Sequence, residues 1–245
     1  MNNELWKSCA DDLTDSNLAE LAAWRGYSEP FCRWLQEQQL VGRYRGMWAI
    51  PLMDNTCEVI AAHCYRSDGS WTYRPWGVET RVLVIGPIET AKTVWVFESQ
   101  WDAYAAMEKT GWHQEIPAAT AIVITRGPRH GMLVRGLFRP GANIYAIVQN
   151  DIRVGHHGTL AENWLRSISI HADSPIYRVA PPAAFKDIND WTKAGATGDD
   201  IAEVFRDAEL IPAGTFRQLR RRHRARNGLA GDGQLVARQA PSRST

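Results

Sequence analysis

Residues 94–111, VWVFESQWDAYAAMEKTG, carry the signals that decide the fold. Val94 to Phe97 form a short, uninterrupted apolar run, which is typical of a strand buried on both faces of a parallel sheet. The residues that follow predict a helix over roughly 101–110, and Gly111 is placed to end it. A buried strand followed at once by a helix is the unit from which α/β folds are built.

Three further strands repeat this rhythm along the chain. Apolar runs predict them at 121–125, 144–148 and 176–179. A short helix is expected near 131–137, and a stronger helix signal comes later, where Thr159 and Glu162 form a capping-box pattern before an apolar face. We therefore predict an α/β fold over residues 81–212, with a parallel sheet flanked by helices.

The N-terminal third has a different character. One helix is expected over 17–25, with Asn17 as its N-cap, and a second helix is expected to begin at Ser28. Short strands separated by turn residues then predict an antiparallel meander between residues 47 and 76. The two helices could form a DNA-binding helix-turn-helix, but the second carries little positive charge. We therefore expect a small α+β subdomain over residues 1–80.

Composition excludes several classes of protein. The chain has 245 residues, of which 44% are hydrophobic and 22% charged, so its composition is globular rather than disordered. It has no long apolar run and no secretory signal at its N-terminus, so neither a membrane protein nor a secreted one is expected. Four cysteines at scattered spacings argue against a zinc ribbon and favour free thiols in a cytoplasmic protein.

The net charge of +1 conceals a strong asymmetry. Residues 217–245 carry eight arginines and one acidic residue, which leaves 20 basic and 26 acidic residues in the rest of the chain. We expect residues 213–245 to be a basic, disordered tail that either contacts phosphates or serves as a solvated linker. The tail residues taken as candidate nucleic-acid contacts are Arg220, Arg221, Arg222 and Arg224.

Acidic side chains follow three of the predicted strands. Glu98, Asp151 and Asp187 each come shortly after a strand or in the loop beyond it. In open parallel sheets, ligands bind at the carboxyl ends of the strands, so these carboxylates are expected to converge. Carboxylate oxygens suit Mg²⁺, which can neutralise the charge that develops during phosphoryl transfer.

The order of these acids resembles the TOPRIM domain that bacterial-type DNA primases, type IA and II topoisomerases and some nucleases share. Glu98 and the pair Asp102-Ala103 match the first motif of that domain. The run Gln149-Asn150-Asp151 is similar to its second motif, and Lys186-Asp187-Ile188-Asn189-Asp190 to a run near the end of primase TOPRIM domains. Together with the strands that precede it, the resemblance covers about residues 17–195.

The resemblance implies a metal-dependent active site. Glu98 and Asp151 would hold Mg²⁺ or Mn²⁺, Asp102 would support catalysis, and Asp187 would assist or bind a second ion. Gln149 departs from the motif, because it places a neutral side chain where the family has Asp, and weaker metal binding is expected. No cysteine–histidine set in the sequence could form the zinc-binding module that usually precedes a primase core.

Other residues have two interpretations each. Arg126 and Arg129 follow a predicted strand and either bind phosphate or are surface charges. Trp71 and Trp76 on the meander either belong to the core or stack on bases. The His156-His157 pair is more typical of a solvated loop than of metal ligands.

The features favour a primase-like nucleotidyltransferase core. The predicted activity is Mg²⁺-dependent synthesis of RNA primers on single-stranded DNA in the replication of a phage or plasmid. Its partners would be single-stranded DNA and NTPs, with a replicative helicase as a further candidate and no membrane. Two alternatives remain open: a TOPRIM nuclease, and a catalytically silent nucleic-acid-binding module.

Overall fold

The computed structural model describes residues 1–66, 70–150, 159–172 and 174–212. Asp151, the His156-His157 pair and the arginine-rich tail fall outside these ranges, so the expectations made for them stay predictions. In the described residues, no helix is long and apolar enough to cross a lipid bilayer.

Three helices open the chain. They are α1 (Asn3–Asp11), α2 (Asp15–Arg25) and α3 (Glu29–Glu37). The prediction of a helix from Ser28 is confirmed, because the Ser28 side chain caps α3 by accepting a hydrogen bond from the Phe31 N–H. The prediction that Asn17 is an N-cap is wrong: α2 begins earlier, Thr14 is its N-cap, and Asn17 completes that capping box from the third helical position.

An antiparallel sheet follows and confirms the predicted meander. Its strands, in spatial as well as chain order, are β1 (Gly42–Tyr44), β2 (Met47–Met53), β3 (Val59–Tyr65) and β4 (Trp71–Arg74). Successive side chains of a strand point to opposite faces. One face, which includes Ala49 and Cys64, packs against α1, whereas Trp48 and Ile50 join the core shared with the rest of the chain.

A second, six-stranded sheet confirms the predicted α/β architecture. Its strands are β5 (Leu83–Ile85), β6 (Thr93–Phe97), β7 (Thr120–Ile124), β8 (Asn143–Ile147), β9 (Ile176–Val179) and β10 (Glu209–Leu210). They lie in the order β10-β9-β8-β6-β7-β5. The four central strands are parallel, and the two edge strands pair antiparallel to their neighbours.

Helices cover both faces of this second sheet. They are α4 (Gln100–Thr110), α5 (Leu160–His171), α6 (Ile188–Lys193) and α7 (Gly198–Arg206). The capping box of Thr159 and Glu162 at α5 is present, and Gly111 ends α4 in a left-handed conformation, as predicted. The helix expected over 131–137 is only a 3-10 turn at Gly131–Val134.

The sheet residues alternate between two apolar cores. Trp95 and Phe97 of β6 face α4, α7 and the N-terminal helices, while Val94 and Val96 face α5. The first of these cores also contains Leu21 of α2, so the N-terminal helices and the six-stranded sheet bury a common set of side chains. The boundary predicted near residue 80 falls between the two sheets, and it stays a prediction.

Buried polar bonds also tie the N-terminal region to α4. The Tyr27 hydroxyl donates to the Trp101 carbonyl at 2.7 Å, and the Tyr104 hydroxyl donates to the Leu40 carbonyl at 3.1 Å. The Gln100 side chain donates to the Tyr65 hydroxyl. Because buried polar groups are costly when unpaired, these bonds hold α4 in one position against the first sheet.

His63 on β3 gives the fold a measurable pH dependence. Burial, assisted by the positive charge of Arg126 and by His130, lowers the pKa of His63 to about 2. The folded protein therefore cannot take up the proton that the unfolded chain binds below about pH 6.5, so acidification favours unfolding by about 1.4 kcal/mol per pH unit.

Replacing His63 with Phe should remove this contribution. Urea unfolding at pH 7.5, 6 and 5 is expected to show wild-type stability falling more steeply than that of His63→Phe. The lost contact between the Tyr65 hydroxyl and His63 Nδ1, 3.1 Å long, would add only an offset with little pH dependence. Parallel pH profiles for the two proteins would contradict a neutral, buried His63.

Candidate active site

Glu98 lies at the carboxyl end of β6, where the strand order reverses. The chain passes from β6 to β7 on one side and then returns to β8 on the other. Such switch points leave a crevice beyond the strand ends in which ligands bind. The Glu98 carbonyl accepts a hydrogen bond of 2.8 Å from the Gly127 N–H, and the residue is 7% exposed.

Asp102 sits in the first turn of α4, just inside this crevice. The Ser99 side chain caps the helix by accepting from the Trp101 N–H at 3.1 Å, which fixes where the first turn begins. Asp102 is only 3% exposed, and both of its carboxylate oxygens accept hydrogen bonds. Gln149 Nε2 donates to one oxygen at 2.9 Å, and the Asn189 N–H donates to the other at 3.1 Å.

The pKa of Asp102 reports a concentration of negative charge. The pKa of this carboxyl is raised to about 8, chiefly by burial and then by the Asp187 and Glu98 carboxylates, while the hydrogen bonds from Asn189 and Gln149 lower it. The charges of Glu98 and Asp187 therefore both act on Asp102, so three acids predicted from the sequence interact at one end of the sheet. An ionised Asp102 is favoured when a cation lies nearby.

The loops that carry Gln149 and Asp187 are bonded to each other. The Asn150 N–H donates to the Lys186 carbonyl at 2.7 Å, and its side-chain amide donates to the Phe185 carbonyl at 2.9 Å. Asp187 is the N-cap of α6 and accepts from the Asp190 N–H at 2.8 Å. Asp187 therefore also serves as a helix cap.

Arg25 is a site residue that the sequence patterns did not reveal. Its guanidinium lies over the Trp24 and Trp101 rings, 3.6 Å and 4.0 Å from their centroids. Burial lowers its pKa, and the charges of Asp102 and Asp187 act in the opposite direction. Arg25 is far from Asp102 and Asp187 along the chain, so no sequence pattern relates it to them. The packing of α2 against α4 and α6 places its positive charge near these acids.

Asn189 is a second such residue. In the sequence it is only one member of an acidic run. In the structure its backbone N–H donates to Asp102 and its side chain donates to the Arg25 carbonyl at 2.7 Å. One residue thus connects the buried carboxylate to the end of α2. No spacing rule in the sequence indicates this contact.

The donor chemistry of the crevice suits Mg²⁺. Glu98 and Asp187 offer the hard oxygen ligands that this ion prefers, and the raised pKa of Asp102 marks a place where positive charge is favourable. Over the ranges that the structure describes, however, no three carboxylate, histidine or cysteine side chains converge closely enough to hold a metal ion. A complete ligand set would therefore need a residue outside those ranges, and Asp151 is the one that the sequence predicts.

The two arginines after β7 have different environments. Arg126 is 4% exposed; its Nη2 donates to the Pro51 carbonyl at 2.6 Å and its Nε to the Arg81 carbonyl at 3.1 Å. Its assignment to nucleic-acid binding is therefore wrong, because its side chain links the two sheets inside the protein. Arg129 is exposed and stays a candidate contact.

Comparison with solved structures shows the fold of a primase catalytic core. The DnaG primase catalytic domain bound to single-stranded DNA matches with a TM-score of 0.56 and 14% identity over 93% of this chain and 88% of that one. The Escherichia coli primase catalytic core gives 0.55 and 15% identity, covering 93% and 87%. No protein-family model and no curated protein matches the sequence.

A phage structure matches as well. The structure of bacteriophage T7 lagging-strand DNA polymerase interacting with primase domains of two gp4 subunits matches with a TM-score of 0.55 and 15% identity, covering 77% of this chain and 91% of the matched chain. At identities this low the likeness shows a shared fold alone, and the activity depends on the chemistry of the site.

Proposed function

We propose that this chain is the catalytic core of a TOPRIM-type DNA primase, which joins ribonucleotides into RNA primers on single-stranded DNA. The observation that carries the proposal is the buried carboxylate of Asp102, held by Gln149 and Asn189 beside Glu98 and Asp187 at the switch point of the sheet. The likeness to primase catalytic cores supports it.

In this proposal the acids have distinct roles. Glu98, Asp151 and Asp187 hold Mg²⁺ or Mn²⁺, and the ion, when bound, neutralises charge on the reacting phosphates. Asp102, ionised when the ion is bound, adds negative charge and holds Gln149 and the start of α6 in place through its two hydrogen bonds. Arg25 balances part of this charge.

The partners follow from the same chemistry. NTPs would meet the acidic crevice through their bound metal, and single-stranded DNA would contact Arg129 and the tail arginines 220, 221, 222 and 224. A replicative helicase is the further partner that we propose, because primer synthesis serves a replication fork. The setting would be the cytoplasm of a cell that carries a phage or plasmid.

A catalytically silent nucleic-acid-binding module is the second candidate. The observation that favours it is Gln149, whose amide satisfies Asp102 by hydrogen bonding where a carboxylate would add a metal ligand. A TOPRIM nuclease would use the same acids to cleave rather than to join.

Two assays on the full chain separate these functions. Incorporation of labelled NTPs on single-stranded DNA with Mg²⁺ or Mn²⁺ is the expected result. Nicking of a supercoiled plasmid without incorporation would instead identify a nuclease. Binding of single-stranded DNA with neither activity would identify the silent module.

Gln149→Asp tests whether residue 149 adjoins the metal. Gln149 Nε2 lies 2.9 Å from Asp102, and the shorter Asp side chain would replace this donor with a second carboxylate that faces Asp102. We therefore expect a loss of about 1–3 kcal/mol of stability in EDTA, recovered on adding Mg²⁺. The Mg²⁺ concentration for half-maximal primer synthesis should fall, because the site gains a ligand charge.

The control is Gln149→Asn, which keeps a neutral amide. It should not make the unfolding temperature more dependent on Mg²⁺. If Gln149→Asp leaves both the unfolding temperature in EDTA and the Mg²⁺ titration unchanged, residue 149 is remote from the metal.

A further inference from the structure

The outer face of the first sheet carries a pocket away from the candidate active site. Tyr44 shares its face with Ala49 and Cys64 and packs with them in the cluster that α1 covers. Trp48 and Ile50 point to the other face, towards α4 and the acidic crevice. The thickness of the sheet therefore separates this pocket from Glu98 and Asp102.

Arginines and aromatic rings dominate the pocket. Its volume is about 260 Å³, and its lining consists of Met1, Tyr44, Arg45, Arg74, Pro75 and Trp76. That volume is below the roughly 300–1,000 Å³ of sites that enclose a whole small molecule. The pocket is therefore suited to one flat group of a larger ligand that continues across the surface.

Each arginine lies against one of the rings. The Arg74 guanidinium is 4.7 Å from the centroid of the Trp76 ring, and that of Arg45 is 5.3 Å from the Tyr44 ring. Trp76 remains 70% exposed in spite of this contact. Arg45 is exposed and Arg74 is half-buried, and neither forms a salt bridge with a carboxylate among the described residues.

This combination matches the two parts of a single-stranded nucleic acid. An exposed indole offers a π-face on which an unpaired base stacks, and arginine donors suit the phosphates on either side of that base. A duplex hides the faces of its bases within the stack, so it would use only the two charges. An acidic peptide would likewise pair with the arginines and leave the indole exposed.

We propose that the pocket formed by Tyr44, Arg45, Arg74 and Trp76 binds single-stranded nucleic acid, with one base stacked on Trp76 and its phosphates contacting the two arginines. It is a second contact for the strand, remote from the acidic crevice. Binding at this pocket requires no metal and no catalysis, so it can be tested independently of primer synthesis.

The test is binding of a fluorescent oligothymidylate to the full chain in EDTA, followed by anisotropy at several salt concentrations. Trp76→Ala should weaken binding about 5- to 100-fold, and Trp76→Phe should restore most of it by keeping an aromatic face. Arg45→Ala with Arg74→Ala should reduce the slope of log affinity against log salt by about 1.4, because each phosphate contact contributes about 0.7.

The matched control is the pair Arg135→Ala and Arg166→Ala, which removes two exposed arginines of the second sheet's region. This control should bind the oligothymidylate at least as tightly as the Trp76→Phe variant does. Thermal melts should coincide with wild type for the variants at the exposed positions 45, 76, 135 and 166, and the melt of the Arg45, Arg74 double variant checks that the half-buried position 74 tolerates Ala. Photo-crosslinking of an iodouracil-substituted strand should label the peptide that contains Trp76.

Two results would overturn the proposal. One is wild-type affinity and salt slope in Trp76→Ala and in the Arg45, Arg74 double variant. The other is an equal loss in the Arg135, Arg166 control, which would indicate a non-specific charge effect. Weakened binding in a chain that makes no primers would uphold this site while rejecting the proposed activity.

Discussion

Glu98→Gln is expected to lower Mg²⁺-dependent primer synthesis by about two orders of magnitude or more. Glu98 lies at the carboxyl end of β6, and its charge acts on the buried Asp102 carboxylate. In the proposed active site Glu98 is a metal ligand, and metal-ion stabilisation of a phosphoryl-transfer transition state amounts to several kcal/mol. Rates at saturating Mg²⁺ and Mn²⁺ are the measurement.

Stability should respond in the opposite direction. Glu98 raises the pKa of Asp102, because Glu98 and an ionised Asp102 repel each other when no metal is bound. Neutralising Glu98 relieves this repulsion, and the unfolding temperature in EDTA should stay the same or rise. Glu203→Gln, at an exposed position on α7, is the control and should change neither quantity. Loss of folding in Glu98→Gln would point to a structural role instead.

Arg126→Met is expected to destabilise the protein by about 2–4 kcal/mol without weakening nucleic-acid binding. Arg126 donates to the Pro51 and Arg81 carbonyls in the interior between the sheets. The substitution leaves both acceptors unpaired, at about 1–3 kcal/mol each, while it recovers part of the cost of burying a charge. Urea unfolding at neutral pH measures the net effect.

Arg129→Met is the matched comparison, because Arg129 is exposed three residues further on. It should keep wild-type stability and reduce the salt dependence of binding to single-stranded DNA. If instead Arg126→Met folds as stably as wild type and loses affinity for the strand, Arg126 reaches phosphate after all. The pair thus distinguishes an interior link from a surface contact.

The sequence predicted best those parts of the fold in which local signals and burial agree. The apolar runs from Val94 and from Ile176, and the capping box at Thr159, each correspond to an observed element. Short edge strands such as β5 and β10 were missed, because a few residues carry too little periodicity. Asn17 was wrong as an N-cap because Thr14 takes that role and Asn17 bonds back to it from the third helical position.

The site was predictable only in its acids. Glu98, Asp102 and Asp187 follow strands or lie at the start of helices, so the alternation of strands and helices along the sequence predicts where they lie. Arg25 and Asn189 owe their roles to the docking of α2 and α6 on α4, which no local pattern encodes. Arg126 was assigned wrongly for the same reason, since its acceptors, Pro51 on β2 and Arg81 just before β5, are far from it in the sequence.

The two hydrogen bonds of Asn189 can form only late in the synthesis of the chain. Asn189 bonds to Asp102 across 87 residues and to Arg25 across 164. Chains emerge from the ribosome N-terminus first, at about 5–20 residues per second, and contacts between distant residues are slow to close. The N-terminal helices and β6 are therefore available for several seconds before the segment that joins them exists. A nascent chain that stops short of residue 189 lacks both contacts, however well its earlier strands have paired.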